Sequence, residues 1–186
     1  MKLNIGCGFR KMDGYVNVDA FPDCNPDILH DLEKTPWPFE ADSITEIVAT
    51  HVLEHLGADK NVFFNIIKEI YRVLADGGIF KVAVPHYMHQ NYYSDPTHVR
   101  TFTKRTFEML DMDKNRQWMK TGSNVTMLAA MLKVDFELLS VTQTYDDLWT
   151  KKLIDGEVTR AELREIAKKQ WNVVTEVGFT LKARKP

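Results

Sequence analysis

The chain lacks most of the features that would place it in a specialised class. Its 186 residues include only two cysteines, Cys7 and Cys24, too few for a disulfide framework. No apolar run approaches the ~18 residues that suggest a membrane-spanning helix. Positive charge is not in excess either: 24 Lys and Arg stand against 26 Asp and Glu, for a net charge of −2. Such a balance supplies no basic field for a phosphate backbone, so a small molecule is a better expected partner than nucleic acid. There is no internal repeat, low-complexity tract or linker long enough to divide the chain, and its length fits a single domain, residues 1–186. The first apolar segment begins so close to Met1 that a secretory leader has no room, which with the low cysteine count sets the expectation of a cytoplasmic protein. Composition is silent on oligomeric state.

What is present is a rhythm of short apolar runs. Residues 2–6, 15–19, 27–31, 45–50 and 79–84 are mostly continuous in Val, Ile and Leu, which suits a parallel sheet covered on both faces. Between the last two, Val62, Phe63, Ile66, Ile67, Ile70, Val73 and Leu74 recur at helical spacing. Asp76-Gly77-Gly78 offers a glycine cap to end that helix, and strand, helix, strand in this order implies a right-handed crossover. In the second half, Thr103 to Leu110 reads as a short helix, Phe136 to Thr144 as a strand, Thr159 to Gln170 as an exposed helix and Val173 to Ala183 as a closing strand.

Two of these runs carry chemistry. Leu3-Asn4-Ile5-Gly6-Cys7-Gly8 is a strand entering a Gly-x-Gly turn, and Val16-Asn17-Val18-Asp19 is a strand ending in a carboxylate. Glycine lets backbone approach a ligand with no Cβ in the way, and an acid at the next strand's tip can accept hydrogen bonds from both hydroxyls of a ribose. Further on come Asp31-Leu32, Pro36-Trp37-Pro38-Phe39, His51-Val52-Leu53-Glu54-His55-Leu56 and Arg72-Val73-Leu74-Ala75-Asp76-Gly77-Gly78. In order and spacing these runs resemble the class I S-adenosylmethionine-dependent methyltransferases, over about residues 3 to 86.

The resemblance implies an α/β, Rossmann-like, doubly wound fold: a mostly parallel sheet with an antiparallel closing strand and Thr159 to Gln170 inserted before it. It implies S-adenosylmethionine as cofactor. The backbone of Gly6, Cys7 and Gly8 would face the methionine portion, with Asn4 at the position where the family often carries an acid. Asp19, with Ala20 beside it, would bridge the ribose diol; Asp31 would receive the adenine amino group and Leu32 would line the ring. His51 would stand at the mouth of the fourth strand, near the cofactor. Cys7 is read as a small residue at a close approach, and Pro36 to Phe39 as edge packing.

Two departures matter. Asp19 follows Gly6 by only thirteen positions, where the dinucleotide fingerprint places its acid about 20 residues on because a helix lies between. The first crossover helix is therefore expected to be shortened or missing, consistent with Arg10 at the third glycine position of the loop in the family it resembles.

His51-x-x-Glu54-His55 admits two readings. On a helix it would put two imidazoles on one face, the inverted zinc-peptidase spacing, with Glu54 as base and a third ligand from His86, His89 or His98; that is the alternative of a metal-dependent hydrolase. The reading preferred is scaffold without a metal: Leu53 and Leu56 packed, His55 satisfied by a backbone carbonyl. After the fifth strand, Pro85-His86-Tyr87-Met88-His89 and Asn91 to Arg100 form a polar, aromatic loop resembling the "DPTH" stretch of related small methyltransferases. Ligands of open parallel sheets bind beyond the strands' carboxyl ends, so His89, Tyr92, Tyr93 and His98 are candidate acceptor contacts, while His51 and His86 are candidate bases. Trp118, Met119, Met127 and Met131 could flank an apolar acceptor group, with core packing the preferred reading. The function expected is methyl transfer to a small molecule; a non-catalytic nucleoside-binding module is the further alternative.

Overall fold

A computed structural model describes residues 1–185. Seven strands form one sheet in the order β3-β2-β1-β4-β5-β7-β6. They are β1 (Lys2–Ile5), β2 (Val16–Asp19), β3 (Ile28–Leu29), β4 (Ile44–Thr50), β5 (Leu74–Pro85), β6 (Phe136–Tyr145) and β7 (Val174–Ala183). The first five are parallel, and β7 lies antiparallel between β5 and β6. This is the mostly parallel sheet with an antiparallel closing strand that the resemblance implied. Winding proceeds from β1 to β2 on one side and onward to β4 on the other, so the switch of direction falls between β1 and β4, where an open sheet leaves a crevice.

The connection from β1 to β2 contains no helix. A knot of buried amides holds it instead. Asn4, 4% exposed, and Asn17, 5% exposed, face each other across the two strands. Asn4 Nδ2 donates to Asn17 Oδ1 at 2.9 Å and to the Arg10 carbonyl at 3.0 Å, while Met12 N–H donates to Asn17 Oδ1 at 2.8 Å. Asn17 in turn donates both its backbone N–H and its Nδ2 to Asp27 Oδ2, each at 2.8 Å. These two donations hold the Asp27 carboxyl below its ordinary pKa, the backbone one foremost.

Helix α1 (Lys60–Val73) starts on an Asp59 cap that accepts from Asn61 N–H at 2.7 Å. It buries Phe63, Ile66, Ile67, Ile70 and Val73, the 3.6-residue stripe visible in the sequence. Its end differs from expectation. The chain turns extended at Leu74, with ψ at 135°, and Leu74 already pairs with Ile44. Gly77, at φ +73°, serves a bulge within β5 rather than a helix cap. Glu69, on the buried face, accepts from Trp37 N–H at 2.8 Å and pairs with Arg72 at 2.8 Å, so Pro36 to Phe39 packs against α1, and Trp37 and Phe39 join the main core.

The second half holds α2 (Gln90–Ser94), α3 (Lys104–Glu108), α4 (Met112–Thr121), α5 (Leu128–Leu132), α6 (Asp147–Ile154) and α7 (Arg160–Ala167). Only α3 and α7 were legible as helices. The insertion between β6 and β7 has its own small core, in which Trp149 of α6 packs with Leu163 and Ala167 of α7 and with Val173 and Val174. Met119 and Met131, read as core, are exposed, and Trp118 is half-buried beneath the Arg105 guanidinium. Among the described residues no helix is long and apolar enough to cross a membrane.

The amide knot yields a test. Asn17→Ala leaves the buried Asn4 Nδ2 and the Met12 N–H each short of a partner, at about 1–3 kcal/mol per unsatisfied buried group. We expect the midpoint of urea unfolding to fall accordingly with the denaturant slope unchanged; an unaltered midpoint would mean that the loop is held by something else.

Candidate functional site

Both candidate cavities open beyond the carboxyl ends of the parallel strands. Gly6 leaves β1 at φ +60°, and a Cβ there would lie 2.4 Å from Val52 Cγ2, so only glycine fits where the loop passes over the segment following β4. Gly8 N–H donates to Asp19 Oδ2 at 2.8 Å and Phe21 N–H to Asp19 Oδ1 at 2.9 Å. The carboxylate at the tip of β2 thus holds loops on both sides of itself and keeps lone pairs for a ligand.

A cavity of about 240 Å³ lies beside it. Gly6, Asp19 and Ala20 form one wall, Asp31 and Leu32 a second, and His51, Val52, His55 and Leu56 the third. Six of the residues singled out as cofactor contacts therefore meet around one space: Gly6, Asp19, Ala20, Asp31, Leu32 and His51. Asn4, Cys7 and Gly8 do not line it. Asn4 is consumed by the amide knot, and Cys7 is buried behind the turn, its thiol pushed up to about 11 foremost by burial. A thiol so placed stays protonated and packs.

A larger cavity of about 430 Å³ lies alongside, between the segment after β4, the loop around α2 and the ends of β6 and β7. His51, Glu54, His55, Asn91, Asp95 and His98 line it, together with Pro85, Thr144, Thr175 and Glu176. His51 and His55 face both cavities.

The segment carrying these histidines is not an α-helix. His51 sits at φ +55°, in the left-handed region, with its N–H donated to the Ala83 carbonyl at 2.8 Å, and Leu53–His55 is a single 3-10 turn. His51 and His55 therefore do not share a helical face, and the zinc-peptidase spacing loses the context its chemistry requires. The hydrolase built on His51, Glu54 and His55 is not supported. A non-glycine residue held left-handed beside a cavity is the kind of strain that clusters at functional sites.

The His51 ring lies between two carboxylates. Nε2 is 2.8 Å from Glu176 Oε2, and Nδ1 is 3.3 Å from Glu54 Oε1. The polar contact with Glu54 is the largest cause of a raised pKa, with the charges of Glu54 and Glu176 adding to it and burial opposing. Glu176 comes from the closing strand, some 120 positions away in sequence, and nothing in the sequence marked it.

His86 is placed differently from expectation. It is buried, its Nδ1 accepts Met88 N–H at 3.2 Å, and it does not line the larger cavity. Burial, foremost, lowers its pKa. His89 caps α2, accepting Asn91 N–H at Nδ1, and is 2% exposed. Tyr93 stacks on Trp171 at the surface, while Tyr92 packs on the His98 ring. Of His89, Tyr92, Tyr93 and His98, only His98 lines the larger cavity. His55 binds the Thr97 hydroxyl at 2.8 Å through Nδ1 rather than a backbone carbonyl.

Residues 3–82 match a family described as a methyltransferase domain. No curated protein matches the chain. Among solved structures, an S-adenosylmethionine-dependent methyltransferase from Archaeoglobus fulgidus superposes with a TM-score of 0.62 at 17% identity, covering 97% of this chain and 85% of that one. Another, from Methanosarcina mazei, gives 0.56 at 15% identity over 100% and 92%. Phosphoethanolamine N-methyltransferase 2 of Haemonchus contortus, in complex with S-adenosylmethionine, gives 0.57 at 14% identity over 99% of this chain and 48% of that one. At such identities these likenesses establish the fold.

The two carboxylates around His51 set a measurable sign. A histidine whose folded-state pKa is raised adds stability that is complete below the unfolded value near 6.5 and is lost as pH rises through the folded value. We expect proton NMR to place the His51 titration above 6.5, and Glu176→Gln to move it down. An unmoved midpoint in that variant would remove Glu176 from the pair.

Proposed function

We propose, from a chain that carries a methyltransferase domain in residues 3–82 and the class I S-adenosylmethionine-dependent methyltransferase fold along its length, that it is an enzyme transferring the methyl group of S-adenosylmethionine to a small molecule. The observation that carries this reading is the shared wall: His51 and His55 face both the cavity beside Asp19 and the larger one. A donor in the first and an acceptor in the second would meet there. A bare nucleoside-binding module has no use for the second, histidine-lined space.

Each residue around the smaller cavity has a distinct task in this reading. Asp19 accepts hydrogen bonds from the ribose hydroxyls while its two backbone partners fix its orientation. Asp31, whose Oδ1 accepts Glu33 N–H at 3.0 Å, is held in a turn and presents its carboxylate to the adenine amino group. Leu32, Val52 and Leu56 give the ring an apolar seat. Gly6 lets the loop backbone approach the methionine portion.

The sulfonium already carries an activated methyl group, so the protein's contribution is in-line positioning and exclusion of water, which together can be worth about 7–11 kcal/mol. If the acceptor is a hydroxyl or an ammonium, its proton must leave as the new bond forms. His51 is poised for this once neutral: its own proton sits on Nε2, 2.8 Å from Glu176 Oε2, and the Nδ1 lone pair takes the acceptor's. Glu176, beside Nε2, then stabilises the imidazolium, the base-and-orienter arrangement of activated nucleophiles. The charge balance of the chain favours a small acceptor over a nucleic acid, and the larger cavity, about 430 Å³, is of a size for one.

Two measurements test this. Calorimetry with S-adenosylhomocysteine should show Asp19→Ala binding about 10- to 100-fold more weakly, the value of one or two hydrogen bonds to a charged group; equal affinity would displace Asp19 from the site. In single-turnover assays over an acceptor panel, His51→Ala should slow transfer by about 100-fold or more while cofactor affinity is largely kept. A rate equal to that of the unmodified chain would show that no base acts there.

A further inference from the structure

We infer that the larger cavity contains a site for a divalent transition-metal ion, held by Glu54, His55 and His98. Each of the three offers a ligand atom within 4.8 Å of those of the other two, a spacing that small side-chain movements would close around an ion. Two come from the turn after β4 and one from the loop after α2. The Val99 N–H bond to the Glu54 carbonyl, at 2.8 Å, ties those segments together.

Hydrogen bonding fixes how the imidazoles face the cavity. Thr97 Oγ1 lies 2.6 Å from Asp95 Oδ1 and donates its proton there, so it accepts from His55 Nδ1–H at 2.8 Å. His98 Nδ1 lies 2.7 Å from the Tyr92 carbonyl, which can only accept. Both rings in their neutral form are thus protonated at Nδ1 and keep a lone pair on Nε2. This is how metal-ligating histidines are usually oriented, with the second nitrogen bonded to a carbonyl, carboxylate or other acceptor.

Glu54 is the independent observation. It is 1% exposed and lines the cavity, yet neither carboxylate oxygen has a hydrogen-bond partner. Its polar neighbour, His51 Nδ1, stands 3.3 Å from Oε1 without the alignment of a hydrogen bond, and among the described residues no Lys or Arg pairs with it. A buried carboxylate is retained where it is paired or coordinates a metal. Two imidazoles and one carboxylate suit zinc, iron, cobalt or nickel and not magnesium, which prefers an all-oxygen shell. Asp95, whose Oδ2 is 3.9 Å from His98 Nε2, stands next to the set. His51 is not one of the ligands, so this is a different constellation from the zinc-peptidase spacing. If the methyl-transfer reading holds, an ion here would bind an acceptor oxygen or nitrogen and ease loss of its proton.

The test uses the full chain, stripped with chelator and titrated with Co²⁺ alone, followed by calorimetry, visible absorption and thermal unfolding. One equivalent should bind at micromolar concentration or below, with visible bands that Zn²⁺ abolishes, while Mg²⁺ has no effect. His98→Ala should weaken binding at least about 100-fold. The exposed Thr97→Ala, which releases the His55 ring and the hydroxyl bond to Asp95, should weaken it about 10- to 100-fold with circular dichroism unchanged. Absence of heat and absorption up to millimolar Co²⁺ and Zn²⁺, or equal binding by both variants, would overturn the site. Saturable binding of methylammonium in place of any metal would also overturn it and would assign the buried carboxylate to a cationic acceptor. Neither cofactor nor acceptor is present, so failure here leaves the methyl-transfer reading standing, and failure to bind S-adenosylhomocysteine leaves the metal site standing.

Discussion

The Asn4–Asn17 contact is the constraint on which the half of the molecule around the smaller cavity depends. Parallel strands ordinarily need a long crossover, usually a helix, between them. Here ten residues connect β1 to β2 and contain no helix. A loop of that length crossing the sheet exposes its backbone groups to a partly dry environment, where each must find a partner. The two buried amides supply them: one side chain gathers the Arg10 carbonyl, the other the Met12 N–H, and they meet each other at 2.9 Å. Because the knot fixes where the loop leaves β1, it also fixes where Gly6 passes over Val52 and where Gly8 N–H meets Asp19.

From that fixed edge the rest of the site follows by adjacency across the sheet. β4 lies next to β1, with Ile5 paired to Ala49, so the residues leaving β4 stand opposite the glycine turn. His51 is the first of them to face both cavities. Its left-handed backbone turns the chain sharply and aims the ring between Glu54 and Glu176. One carboxylate is buried and near in sequence; the other is half-exposed and arrives from β7. Their combined negative charge makes the ring a stronger base than a free imidazole and keeps it charged further toward neutral pH.

The second half of the chain does more than close the sheet. β7 brings Thr175 and Glu176 to the larger cavity, and the loop from Asn91 to Arg100 forms the facing wall. That loop is clamped at several points: Val99 N–H reaches the Glu54 carbonyl, Arg100 donates to the Gly57 carbonyl at 2.7 Å, and its guanidinium lies 4.1 Å from the centre of the Phe63 ring. A loop pinned in this way presents His98 and Asp95 from a rigid support, which suits positioning better than a free lid. The histidines concentrated between residues 51 and 98 thus divide by fold. His51, His55 and His98 reach the cavities, whereas His86 and His89 are built into the turn and the helix cap behind them.

The strands, the main helix and the glycine turn were legible in the sequence because each rests on local signals: continuous apolar runs, a 3.6-residue stripe ending near Val73, and a glycine where no Cβ fits. The missing crossover helix was legible for the same reason, since thirteen positions cannot hold one together with two strand ends. Most helices of the second half were not: α2 and α5, at five residues, carry too few periods to stand out, and α4 and α6 bury too few apolar side chains to show a stripe. Six of the predicted cofactor contacts meet around one cavity because they sit at strand ends, whose neighbours the order of the sheet dictates. The wall of the larger cavity could not be read that way. Whether His86 or Glu176 stands beside His51 depends on the antiparallel register of β7 on β5, where Pro85 pairs with Glu176. That register is set by the packing of two distant segments, and distance along the chain carries no record of it.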